Sequence, residues 1–181
     1  MPSFGSDEAR LLIVGLAPGL RGANRTGQPF LGDYAGELLY RTLLKFGLAR
    51  GRYDPARPKE LDLAGCMITN AVRCVPPQNR PKPEEIAACR KFLESRIASL
   101  PKLSAFLAIG RIAHESILDA LRLKRRAFPF AHGTRHNLPG GFVLCDSYHC
   151  SRQNTNTGRL TTEMFEQVVV EAAAAAGLRR A

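Results

Sequence analysis

Apolar residues in this chain fall into two alternating rhythms: short unbroken runs, and runs spaced three or four apart. Leu11–Gly15 is a continuous apolar run closed by glycine, the pattern of a strand buried on both faces. The stretch 36–47 carries Leu38, Leu39, Leu43, Leu44 and Phe46 at helical spacing and also ends on glycine. Residues 66–72 (CMITNAV) predict a second strand. A helix is predicted from Pro83 to about Leu100, with Pro83 in its first turn and Glu84 and Glu85 at its positive end. Its expected buried positions are Ile86, Cys89, Leu93 and Ile97. Residues 103–109 predict a third strand stopped by Gly110, 111–123 a helix, 142–145 a fourth strand, and 159–176 a last helix closed by Gly177.

The connections are polar. Residues 1–10 read as a frayed leader, 49–60 (ARGRYDPARPKE) as a basic surface loop, and VPPQNRPKP as a loop whose four prolines forbid regular structure. No internal repeat is visible, and residues 1–181 are expected to form one domain. Four short apolar strands alternating with helices predict an α/β fold: three αβα layers around a central, mostly parallel four-stranded sheet. In such open sheets a ligand binds beyond the carboxyl ends of the strands. Strands one, two and four end at GLAPG, ITN and DSYH, so a site is expected where those junctions converge.

Charge narrows the partner. Twenty-six Lys and Arg stand against 16 Asp and Glu, a net +10 with pI ≈ 9.9, in a chain of ordinary hydrophobic content (45%). That field favours a polyanion, nucleic acid first; a basic surface kept for solubility is the plain alternative. The run 11–19 is too short to span a bilayer and is broken by Pro18, so no membrane partner and no signal peptide are expected. Five cysteines without any C-x-x-C pair fit reduced thiols in the cytoplasm and argue against a self-contained zinc site.

GLAPG is neither a dinucleotide fingerprint nor a Walker loop, so it does not indicate a nucleotide cofactor. It is either a tight turn or a set of exposed N–H groups able to stabilise an anion. Asp33 is the one acidic residue between Glu8 and Glu37, and it is either a helix N-cap or a catalytic carboxylate. His132 and His136 share i, i+4 spacing, but Gly133 and the nearby prolines argue against a helical zinc pair; His114 reads as structural.

Together, GLAPG with RGANRTGQPFLGDYAG (motif A), ITNAVRCVPPQNRPKPEEIAAC and YHCSRQNTNTGRLT (motif B) resemble the motifs of the uracil-DNA glycosylase superfamily. The likeness spans Leu11 to about Phe165 and is closest to family 5, the UDGb type. Family 4, a near relative, has a glutamate where this chain has Leu16. The resemblance implies a monofunctional glycosylase that hydrolyses the N-glycosidic bond of uracil, and of other deaminated bases, to leave an abasic site. It implies catalytic roles for Asp33, orienting water, and His149, stabilising the departing base together with the N–H groups of Leu16 and Ala17. Phe30 would stack on the extruded base, and Asn70, Asn79 and Asn154 would lie at its edges. Arg21, Arg25, Arg152 and Gln153 are the expected DNA contacts.

Two departures stand out. The proline usual after the motif B histidine is Cys150. Families 4 and 5 also carry a 4Fe–4S cluster on four cysteines, of which only Cys74 and Cys89 match here, so no cluster and no other cofactor are expected. The expected substrate is uracil-containing DNA, single- or double-stranded, acted on by a monomer. Two other readings share these features: a binding module for damaged or abasic DNA with weak turnover, and a small-molecule nucleoside hydrolase, which leaves the +10 charge unexplained.

Overall fold

The computed structural model describes residues 1–178. Its centre is β2 (Leu11–Gly15), flanked in parallel by β5 (Cys66–Asn70) and β6 (Ala105–Ile109), with β8 (Val143–Ser147) parallel to β6. These are the four expected strands. Two short antiparallel strands extend the sheet to six: β1 (Phe4–Gly5) along β5, and β7 (Arg135–Asn137) along β8. The order is β1-β5-β2-β6-β8-β7. Residues 1–10 are therefore not a frayed leader, because β1 pairs into the sheet edge. Two- and three-residue edge strands carry too few positions to show a period. For the same reason the 49–60 loop concealed β3 (Ala49–Gly51), which pairs with β4 (Leu61–Leu63) in a separate small sheet.

Alternation along β2 sorts its side chains between two cores. Leu11 and Ile13 face α2 (Tyr34–Lys45) and α6 (Thr162–Ala175), packing with Leu39, Leu43, Phe165 and Val169. Leu12 and Val14 face the other layer, where Ile117 and Leu118 of α4 (Arg111–Ala120) pack with Leu93 of α3 (Pro83–Ala98). Each such side chain contributes roughly 1.5–3 kcal/mol by leaving water, which is why the strand is an unbroken apolar run. In α3 only Leu93 is fully buried; Ile86, Cys89 and Ile97 are half-buried. The reason is that α3 lies on α4 rather than flat on the sheet.

Two short helices complete the functional end: α1 (Ala23–Thr26) in the loop after β2, and α5 (Arg152–Asn156) in the loop after β8. Among the described residues no helix is long and apolar enough to cross a membrane.

Candidate active site

The carboxyl ends of β5, β2, β6 and β8 lie side by side and release Asn70, Leu16, Gly110 and His149 at one rim of the sheet. Motif A supplies the floor. After Gly15 the chain leaves the sheet, with the Gly15 and Leu16 carbonyls accepting the N–H groups of Ala71 and Val72 (both 2.9 Å). The N–H groups of Leu16 and Ala17 make no hydrogen bond among the described residues and remain free to donate.

Phe30 is the hub. A Cβ built on Gly15 would lie 2.4 Å from the Phe30 ring and 2.6 Å from the Asn70 Oδ1, so glycine is what lets ring and amide meet over the strand end. The Phe30 ring stacks on His149, with centroids 6.4 Å apart and planes at 27°. Its carbonyl accepts the Asp33 N–H at 3.0 Å. Its backbone stands at φ 64, left-handed and strained for a non-glycine residue, at about 1–2 kcal/mol. The strain is held in place from both sides. Tyr40, buried under the loop, donates its hydroxyl to the Pro29 carbonyl at 2.6 Å and accepts from the Gln28 amide at 3.3 Å.

Asp33 stands at the N-cap position of α2 but makes no side-chain cap. Its Oδ2 instead accepts the Gly19 N–H at 3.1 Å. Burial pushes its carboxyl upward, while the Gly19 and Ala23 N–H groups draw it back down. A cleft of about 580 Å³ opens beside it, lined also by Arg41, Arg52, Tyr53 and Arg152.

Among the described residues, four side chains bury polar atoms without a partner, Thr42 and Ser116 on helices and two at this rim: both polar atoms of the Asn70 amide, and the His149 Nδ1. Unpaired buried polar atoms cost about 1–3 kcal/mol each and are rare unless a ligand completes them. Burial lowers His149 to about 4, so its imidazole is neutral at pH 7. Asn154 belongs to the support of this histidine: its Nδ2 donates to the His149 carbonyl at 2.8 Å. Motif B is also tied to motif A. The Cys150 thiol donates to the Ala35 carbonyl (3.4 Å), Tyr34 Oη pairs with Thr155 Oγ1 (3.1 Å), and the Arg152 guanidinium lies 4.9 Å from the Tyr34 ring centroid. Asp33 and His149 thus flank one residue, Phe30, on the same rim.

A family model described as the uracil DNA glycosylase superfamily matches residues 2–173. The chain belongs to that superfamily. It is 49% identical over 178 residues to the type-5 uracil-DNA glycosylase of Thermus thermophilus, covering 98% of this chain and 81% of that protein. Against the type-5 uracil-DNA glycosylase of Pyrobaculum aerophilum it is 38% identical over 98% of this chain and 76% of that protein. The type-4 uracil-DNA glycosylase of Archaeoglobus fulgidus is more distant, at 32% over 68% of this chain and 55% of that protein.

Within this superfamily member the expected residues separate. Leu16, Ala17, Phe30, Asn70 and His149 come together, with Asp33 beside them. Asn79 does not join them: it is exposed, at φ 55, in a short 3-10 turn of the proline-rich loop. Arg21 and Arg25 are exposed on the motif A loop, and Arg152 and Gln153 on α5. His132 and His136, linked by spacing in the sequence, have different partners. His132 Nδ1 accepts the Tyr148 N–H (3.1 Å), while His136 Nε2 faces Asp146 Oδ2 (3.3 Å). His114, His136 and Asp146 do converge. His114, however, has its Nε2 on the Phe128 carbonyl (2.9 Å) and its Nδ1 on Asp146 (2.7 Å), so neither nitrogen is spare for a metal.

A 4Fe–4S cluster needs four thiolates. Among the described residues Cys74 is exposed after β5 and Cys89 half-buried on α3. Cys66, Cys145 and Cys150 are buried, and burial pushes each thiol up to about 12, away from the thiolate a metal requires. The residues present do not fit the group. Sequence reasoning missed Gly15 as the seat of the site, since its importance comes from contacts with residues 15 and 55 positions away.

Proposed function

We propose that this protein excises uracil from DNA by hydrolysing its N-glycosidic bond, with the roles that follow. The observation that carries the assignment is the unpartnered Asn70 amide, buried against Phe30 beside His149, with the Asp33 carboxylate three residues along. An extruded uracil stacked on Phe30 would give its N3–H to the Asn70 Oδ1 and take a hydrogen bond at O4 from Nδ2. Cytosine offers an acceptor and a donor at those positions and is refused.

Hydrolysis breaks the bond between C1′ and the base nitrogen, whose electron pair leaves with the base. Negative charge then gathers on the base oxygens. Neutral His149 and the free N–H groups of Leu16 and Ala17 are the donors available to meet it. The cationic sugar faces Asp33, which orients a water toward C1′ and takes its proton as the carbon–oxygen bond forms. The scheme assigns no step to a cofactor. A damage-binding module with weak turnover is not favoured, because every group the hydrolysis requires is present. The continuous sheet and the five unpaired thiols support a single-domain enzyme working in the reducing cytoplasm.

The test is direct. A uracil-containing oligonucleotide, incubated with the protein and then heated in alkali, is expected to break at the uracil, and a cytosine control to stay whole. Intact uracil strands, single and double, under excess protein would defeat the proposal.

A further inference from the structure

A second cleft, of about 280 Å³, opens where β6 and β8 end, and His149 forms part of its wall. Its other features are two arginines, each laid over an aromatic ring. The Arg111 guanidinium carbon is 5.2 Å from the Phe130 centroid, and that of Arg159 is 4.4 Å from the Tyr148 centroid. The two rings are neighbours, with centroids 6.3 Å apart and planes tilted by 52°, so the two stacked cation–ring pairs line adjoining walls of one cleft. Those rings are themselves anchored. Tyr148 stacks on His132 at 4.9 Å and 17°, and Phe130 meets the edge of the buried His114 at 5.5 Å.

Neither arginine forms an ion pair among the described residues, and no Asp or Glu lines the cleft. Arg90, Arg96 and Arg125 are by contrast each neutralised by a carboxylate. A guanidinium stacked on a ring has given up much of its freedom while its N–H fork stays unspent. The same cleft is lined by Gly110, the N-cap of α4, which has no side-chain cap and no acid in its first turn to meet its N–H groups. Two oriented forks and a bare helix start, around neutral rings, match a tetrahedral dianionic or monoanionic oxygen cluster.

We infer that Arg111 and Arg159 clamp one phosphodiester next to the extruded nucleotide. This rests on the glycosylase reading, because His149 belongs both to this cleft and to the base site. It adds a phosphate seat on the β6–β8 side of the rim, apart from Arg152, which lines the cleft beside Asp33.

The test uses duplexes carrying a stable abasic analogue, so that binding is read without catalysis. A neutral methylphosphonate replaces each phosphate in turn near the lesion, and wild type is compared with Arg111→Gln/Arg159→Gln. Wild type is expected to lose about tenfold or more in affinity at one flanking phosphate. The double variant loses as much on unmodified DNA, is indifferent to the neutral link at that position, and shows a salt slope shallower by about one, as expected for one phosphate contact. Arg111→Lys/Arg159→Lys, which keeps the charge without the flat fork, recovers only part of the affinity and controls for folding, alongside a thermal melt. Losses that multiply at every position, or a double variant that binds like wild type, overturn the inference. Inorganic phosphate competing at constant ionic strength without any coupled position would show a free-anion site and overturn the phosphodiester claim. Failure of wild type to release uracil would count against the function and leave this binding test standing.

Discussion

The Asp33 carboxylate accepts the Gly19 N–H at 3.1 Å although residue 33 is the N-cap of α2 and its side chain caps nothing there. The two glycines opposite, Gly19 and Gly22, are what admit it: a Cβ on either would lie within 2.3 Å of the Asp33 Oδ1. A capping aspartate and a catalytic one answer differently to Asp33→Asn. Here uracil release in single turnover is expected to fall by about 10²–10⁴-fold, with stability unchanged to within about 0.5 kcal/mol. Near-normal turnover with a loss of about 1 kcal/mol would identify a cap instead.

Asn70 should trade activity for stability. Its amide is buried with both polar atoms unpartnered among the described residues, a desolvation cost that the uracil edge of the proposed mode would relieve. Asn70→Leu keeps the approximate shape and removes the orphans. Denaturant unfolding is expected to show a gain of about 1 kcal/mol. Uracil excision is expected to fall at least a thousandfold, since a site built to pair polar edges loses that much without them. A variant that is destabilised and still active would place the base elsewhere.

His149 makes stability depend on pH in a window that can be computed. Burial lowers it from 6.5 to about 4, so between those values the unfolded chain binds a proton that the folded one refuses. Stability therefore rises with pH across that window and is lost as pH falls through it, by at most about 3 kcal/mol. His149→Gln removes this dependence. The wild-type-minus-variant difference in unfolding free energy, measured at pH 4.5 and 7.5, isolates it from His132, which burial also lowers and which both proteins share. Equal pH slopes in the two proteins would put the imidazole in solvent.

What the sequence could and could not reveal divides along contact range. The strands β2, β5, β6 and β8 were legible because burial on both faces writes an unbroken apolar run. Edge strands β1 and β7 pair on one side only and leave no such run. The family resemblance nominated Asp33 and His149 together with both Asn70 and Asn79, and it could not tell which of the two asparagines is buried at the rim. Both follow apolar or proline-rich stretches, and only the fold buries one and exposes the other. Asn154 illustrates a further limit: its amide is spent on the His149 carbonyl, a geometry that no spacing encodes.

Gly36 offers the sharpest test of the strained hub, because propensity and packing predict opposite signs. It lies inside α2, where Gly→Ala ordinarily stabilises a helix by about 1 kcal/mol. A Cβ there would fall 1.8 Å from the Phe30 carbonyl oxygen, which is backbone and cannot swing away. That carbonyl also accepts the Asp33 N–H, and Phe30 already sits at φ 64. Relief must come from moving the 30–33 turn, which separates the Phe30 ring from His149 and shifts the Asp33 carboxylate off Gly19. Gly36→Ala is accordingly expected to destabilise by about 1–3 kcal/mol and to abolish uracil release, whereas Ala35→Gly one residue earlier costs helix propensity and one buried methyl, about 1–2 kcal/mol, and leaves the 30–33 turn and uracil release in place. A stabilised, active Gly36→Ala protein would show that the left-handed Phe30 turn is not what holds the carboxylate and the imidazole on one rim.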